Sequence, residues 1–232
     1  YRRNDPMAHR PVFGIAEKPP FYFEESTEFV FNAGFSLSQK QKNIRALHDS
    51  YSSAHNDARI LEISSKSENI IGVQLSAFNL PVVVGDAHTT VEAAFQSGKK
   101  FAYGGPYPDM LFSSSRIAKK DPRLKESGPL IGFELNGQQF PLEPKTFFYD
   151  WLYINAVHAN PTLSESLCGY NAFTDIEFNP KKSINCQARS AAIYVSLFRA
   201  GRLEQAIENA DRFRAVVYES IDGEATDQLS LF

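Results

Sequence analysis

LIGFELNGQQFPL, residues 130–142, places Asn136-Gly137 between two extended runs. An Asn-Gly pair accepts the positive φ angles that a two-residue hairpin turn demands, so this stretch predicts an antiparallel pair of strands. Upstream, Thr89 and Thr90 are candidate helix caps, with Glu92 in the first turn and apolar positions through Phe101; Gly104-Gly105-Pro106 stops that helix. Further back, Ser36–Ala54 has Leu37, Ile44, Leu47 and Tyr51 near helical spacing. Arg59–Ser65 (RILEISS) reads as a strand, and Val73–Phe78 as a second short extended stretch. Downstream the chain reads as helical over Lys145–His158, Pro161–Leu167, Gln187–Ala200 and Arg202–Ser220. One hairpin among many helices predicts an α+β fold, a predominantly helical single domain with a small antiparallel sheet. Its expected parts are an irregular arm over residues 1–35, rich in proline and aromatics, a main domain over 36–220, and a flexible tail over 221–232.

Composition narrows the class. The chain has 232 residues, of which 43% are hydrophobic and 22% charged, enough apolar material for a sizeable core. Its net charge of −3 gives no global positive field, so contact with nucleic acid must come from local basic stretches. No run approaches the length of a bilayer span. The two cysteines, Cys168 and Cys186, have neither metal-ligand spacing nor a disulfide framework, which points to a reducing cytoplasm. Five histidines show no metal-ligand spacing, so neither metal nor cofactor is expected. Met7 is a candidate start, which would leave residues 1–6 as a leader of unassigned role.

TVEAAFQSGKKF, residues 90–101, holds the most informative polar set. On a helix, Glu92 and Lys99 lie seven positions apart and nearly eclipse, with Gln96 between them. Spacing alone fits a solvated charged face as well as a site. The residues Glu92, Phe95, Gln96 and Lys99 also resemble the signature helix of the NADAR family, the YbiA-like N-glycosidases. SSKSENIIGVQLSAFNL, containing Ser76, Phe78 and Asn79, resembles that family's opening strand and turn. NPTL (160–163), DIEF with Glu177, and SINCQAR with Asn185 and Arg189 follow the order of its later motifs. FSLSQKQK, LEISSKS, SRIAKKDPRLKESG, FYDWLYINA and FTDIEFNPKKSINCQAR are similar to the branch associated with DarT-type DNA ADP-ribosyltransferase toxins. Two departures stand out: Ala77 replaces the asparagine of the family's turn, and a Trp-Gly element is missing before the final asparagine.

The resemblance implies a YbiA-like NADAR fold and an antitoxin that strips ADP-ribose from guanine in DNA. Cleaving a ribosyl C–N bond builds positive charge on the anomeric carbon and ring oxygen, which a carboxylate stabilises. Glu92 is the first choice for it and Glu177 the second. Lys99 could donate to the departing base, or attack the anomeric carbon as a neutral amine and pass through a ring-opened Schiff base. The second route needs a neighbouring cation or burial, and Lys100 is the adjacent candidate. Ser76, Phe78, Asn79, Phe95 and Gln96 would hold ADP-ribose, with Asn185 and Arg189 on its pyrophosphate. Asp150 and Trp151 would line the nucleobase end. Each has a plainer alternative: a turn, a cap, or a core aromatic.

Arg116, Lys119, Lys120, Arg123 and Lys125 form one basic stretch and Lys181-Lys182 another, suited to phosphates beside single-stranded or flipped-out guanine. Gln228, Leu229, Leu231 and Phe232, in the terminal QLSLF, resemble the short peptide with which bacterial proteins dock on the replicative sliding clamp. Three functions therefore stand open. One is a DNA ADP-ribosylguanine hydrolase that counters a DarT-type toxin. The second is a glycosidase of small phosphorylated N-glycosides. The last is an antitoxin that binds ADP-ribose or the toxin without catalysis.

Overall fold

Within the first 35 residues, those from Met7 to Val30 form a hairpin rather than an irregular arm. In the computed structural model, which describes residues 6–219, β1 (Met7–Ile15) and β2 (Tyr22–Val30) pair antiparallel along their whole length, Met7 opposite Val30 and Ile15 opposite Tyr22. Prolines hid the hairpin: Pro11 sits inside β1 opposite Ser26, while Pro19-Pro20 lie in the connecting loop. Gly14 faces Phe23, and a Cβ there would meet the phenyl ring at 2.1 Å, so the glycine makes room for the aromatic.

The remaining elements follow in chain order. Helix α1 (Leu37–Ala54) starts at Ser36, whose side chain accepts from Gln39 N, a cap that contributes about 1 kcal/mol. After β3 (Ile60–Glu62) comes α2 (Ile70–Gln74), where an extended stretch was expected. The correction has a local cause: Asn69 Oδ1 accepts from Ile71 N at 2.9 Å and starts the turn, overriding the β-branched run. The hairpin β4 (Pro81–Val84) and β5 (Ala87–Thr90) leads into α3 (Val91–Ser97), capped by Thr90. Helix α3 was expected to run through Phe101. It ends at Gly98 instead, and β6 (Lys99–Phe101) pairs with β7, Lys99 opposite Phe133.

A 3-10 turn (Pro108–Phe112), α4 (Ser115–Lys120) and α5 (Arg123–Glu126) precede β7 (Leu130–Leu135) and β8 (Gln138–Phe140). The β7–β8 hairpin turns on Asn136 and Gly137, with φ of 50° and 77°, as the Asn-Gly signal predicts. Then come α6 (Phe147–His158), α7 (Pro161–Cys168), β9 (Ala172–Thr174) and α8 (Gln187–Arg199). The single helix expected over Arg202–Ser220 is broken into α9 (Leu203–Ile207), α10 (Ala210–Arg214) and a π-helical turn (Ala215–Glu219). Asn209, in extended conformation, interrupts it and caps α10.

The α+β class is thus as expected. The described residues form two compact units, 6–73 with 165–219, and 74–164. The first holds a sheet ordered β2-β1-β9-β3, in which β9 pairs antiparallel with β1 and parallel with β3. The second holds β4-β5, the sheet β6-β7-β8 and an aromatic core. In that core, Phe133 stacks on Phe148 at 4.7 Å, Phe140 lies 4.8 Å from Phe148, and Phe95 lies 5.6 Å from Phe133. Such pairs contribute about 0.5–1.5 kcal/mol each beyond their buried area. Among the described residues, no helix is long and apolar enough to cross a membrane. The clamp-like peptide 228–232 lies outside the described residues.

Candidate active site

The N-terminus of α3 is tied to the turn that precedes β4. Glu92 N donates to Ala77 O at 2.8 Å, Val91 N to Leu80 O at 3.0 Å, and Asn79 N to Ser76 O at 2.8 Å. Ser115 Oγ donates to Phe78 O at 2.8 Å and bonds Thr90 Oγ1 at 2.7 Å, adding the start of α4 to the same knot. Ser76, Phe78, Glu92, Gln96 and Lys99, matched in separate motifs, therefore belong to one small region of the second unit. Asn79 is exposed beside them.

Glu92 is 5% exposed, a carboxylate that must be paired to stay charged. Gln96 Nε2 donates to its Oε1 at 2.9 Å, and Lys119 Nζ lies 3.3 Å from the same oxygen. Gln96 is equally buried, and its Oε1 has no partner. Lys119 also stands over the Phe78 ring, 4.8 Å from its centroid. Half-buried Lys99 places Nζ 5.0 Å from the centroid of Phe95, whose ring is held edge-on by Tyr149 and stacked on Phe148. Burial pushes the Lys99 amine below its ordinary proton affinity, Glu92 pushes it back up, and Lys119 pushes it down again.

The cation acting on Lys99 is Lys119, not Lys100. Successive residues of a strand face opposite sides, and Lys100 turns to Glu134, 3.2 Å away. A carboxylate beside an amine of lowered proton affinity can stabilise an oxocarbenium and supply a nucleophile or an acid.

A family model described as DarT1-associated NADAR antitoxin matches residues 8–227. The chain belongs to this family. No curated protein matches it.

In this NADAR antitoxin the other motif residues are spread more widely. Asp150 and Trp151 lie on α6, the first fully buried and the second partly exposed. Glu177, Asn185 and Arg189 belong to the first unit. Glu177 is ion-paired with Lys40 at 2.9 Å on a half-exposed surface. Arg189 is 8% exposed and donates from Nη1 to Ile184 O at 3.0 Å, while Asn185 Oδ1 is buried without a partner. Cys186 is buried, and burial pushes its thiol up, in keeping with a packed hydrophobe rather than a nucleophile.

The basic stretch is less uniform than its sequence. Arg116, Lys120 and Lys125 are exposed, but Arg123 is held by Asp109 at 2.6 Å and Asp121 at 2.8 Å, and it stacks on Tyr107. Those two carboxyls lie below the usual range because they accept from Arg123. Lys181 and Lys182 are exposed. A cavity of about 260 Å³ is lined by Val84, Ser97, Pro106, Leu111, Glu134 and Asn136 among others, but by none of Glu92, Gln96 or Lys99. Among the described residues, no cluster of three or more His, Cys, Asp or Glu side chains could hold a metal.

Sequence reasoning missed a carboxyl pair in the antitoxin's first unit. Glu62 is 2% exposed, with Oε2 accepting from Thr174 Oγ1 at 2.6 Å and Oε1 from Ile176 N at 2.9 Å. Asp175 accepts from Glu177 N at 3.0 Å and from Gln187 Nε2 at 3.0 Å. His48 bonds Thr174 Oγ1 at 2.8 Å, and burial pushes its ring down to about 4. The signal was present in RILEISS, where an acid interrupts a strand that is otherwise apolar around Leu61 and Ile63.

Burial, followed by the charge of Glu62, pushes Asp175 up to about 8. Unfolded, it would release its proton near 3.8, so the folded state carries the extra proton across that interval. The resulting stability is full in acid and lost as pH rises toward about 8. Asp175→Asn is expected to flatten this decline, whatever it does to stability at neutral pH. Melting temperatures recorded from about pH 4 to pH 9 will show it. An unchanged slope would remove Asp175 as its source.

Proposed function

We propose that the protein hydrolyses the N-glycosidic bond between ADP-ribose and guanine in DNA, and so acts as antitoxin to a DarT-type toxin. The observation that supports this most is the Lys99 amine resting on Phe95, its proton affinity lowered, beside a buried carboxylate held by Gln96 and Lys119. In the nucleophilic route, the amine nitrogen bonds to the anomeric carbon as the bond to guanine breaks. The electron pair leaves with the base, which takes up a proton. The adduct opens to an imine, and water then releases ADP-ribose and restores Lys99. In the acid route, Lys99 donates the proton to the base while water attacks a cation stabilised by Glu92.

The test is an oligonucleotide ADP-ribosylated on guanine, incubated with the protein and resolved on a gel. Recovery of the unmodified strand is expected, and borohydride added during turnover should trap protein-linked ADP-ribose if the imine forms. An intact modification after prolonged incubation sinks the proposal and leaves small N-glycosides and simple binding. Turnover without trapping retains the hydrolase and favours the acid route.

A further inference from the structure

Helix α4 carries Arg116, Lys119 and Lys120 within six residues and no acidic side chain. It is the element that joins the candidate site to the surface: Lys119 reaches Glu92 and the Phe78 ring, while Arg116 and Lys120 remain exposed. Immediately before it, the 3-10 turn ends on Phe112, which is 81% exposed. Ile117, one residue after Arg116, is 63% exposed. In a chain of net charge −3, residues 112–120 thus form a stretch of surface that combines the exposed side chains of Phe112 and Ile117 with the exposed cations Arg116 and Lys120.

Its chemistry fits one occupant. Phosphates match the cations, and a flat ring offers a stacking platform to any base that is not already stacked in a duplex. We propose that Phe112, Arg116 and Lys120 form a docking face for single-stranded DNA flanking the modified guanine, with phosphates on the two cations and a neighbouring base on the Phe112 ring. This rests on the hydrolase reading above and adds to it the strand form of the substrate. Lys119 then stands at the junction, with its stem along α4 and its ammonium at Glu92. Arg123, which follows in sequence, is not part of the face because two carboxylates already neutralise it.

The experiment compares two substrates, a single-stranded oligonucleotide carrying ADP-ribosylated guanine and the corresponding ADP-ribosylated guanosine. For Phe112→Ala, the ratio of kcat/KM on the oligonucleotide to kcat/KM on the nucleoside is expected to fall about tenfold, the loss of one stacked base. Phe112→Trp should restore it. Arg116→Glu with Lys120→Glu should lower the same ratio further and reduce the salt dependence of oligonucleotide turnover, as two phosphate contacts are lost. An unchanged ratio in all variants overturns the face, as does loss confined to binding of the purified toxin, which would make it a protein interface. If the wild type cleaves neither substrate, the hydrolase reading has failed by itself. The face is then judged by fluorescence anisotropy with unmodified single-stranded DNA, where affinity unaltered by Phe112→Ala overturns it.

Discussion

Lys99→Ala is expected to fold normally and to lose release of ADP-ribose by roughly a thousandfold or more. The side chain lies on the Phe95 ring, so its removal costs one cation–aromatic contact but leaves the Phe95, Phe133 and Phe148 stack in place. Lys99→Arg should fare no better, because a guanidinium stays charged and cannot act as an amine. The pH profile separates the two routes. A nucleophilic amine gives a rate that rises with pH through the lowered proton affinity of Lys99, whereas a proton donor gives a rate that falls there. Single-turnover assays on the modified oligonucleotide, with circular dichroism as the folding control, provide the check. Retention of a tenth or more of wild-type activity by Lys99→Ala would take the chemistry away from this residue.

Glu92→Gln is the second large effect, a fall in kcat of about 10²–10⁴-fold with KM little altered. The replacement is isosteric and removes one negative charge from a site that is 5% exposed. Gln96 can still donate to the new amide oxygen, so the local fold should survive. Two secondary results are expected. Lys99 loses the charge that raises its proton affinity, so any residual activity should respond to pH at a lower value. Lys119 loses its ion pair and is left over Phe78 alone. Neutralisation of toxin in cells should fail for both variants. If either variant protects cells fully while being inactive on DNA, the protein acts by binding, and the catalytic reading falls.

What the sequence disclosed divides along the range of the interactions involved. The β7–β8 hairpin and the cap of α3 were legible because an Asn-Gly turn and a capping threonine act over a few residues. The hairpin of β1 and β2 was not, because prolines dominated the local signal while the strands answer to pairing across the sheet and to the fit of Phe23 over Gly14. The site divided in the same way. Glu92 and Gln96 were readable from helical spacing, and their hydrogen bond follows it. Lys99 was placed on the same helical stripe, but the helix has ended before it and a strand presents it instead. The role of Lys119 was invisible, because nothing in SRIAKK says which of its cations folds back on a carboxylate 27 positions earlier. The Glu62–Asp175 pair escaped for the same reason, being assembled from the end of β3 and the residue that follows β9, far apart in the chain.

That long reach also governs how the protein comes to be made. Strand β9, three residues long, is the only member of its sheet to touch both β1 and β3, with Phe173 opposite Phe13 on one side and Leu61 on the other. The intervening unit, residues 74–164, is continuous and needs no later chain to complete its own sheets. On a ribosome, residues 74–164 can therefore settle while β1, already paired with β2, and β3 wait for a partner not yet synthesised. The closure entropy of that long loop must be met before β9 repays it, which makes assembly of the first sheet the slow and late event. The first sheet is thus complete only once Thr174 has been synthesised, and nonsense fragments ending before residue 172 should carry a completed middle unit and an incomplete first sheet.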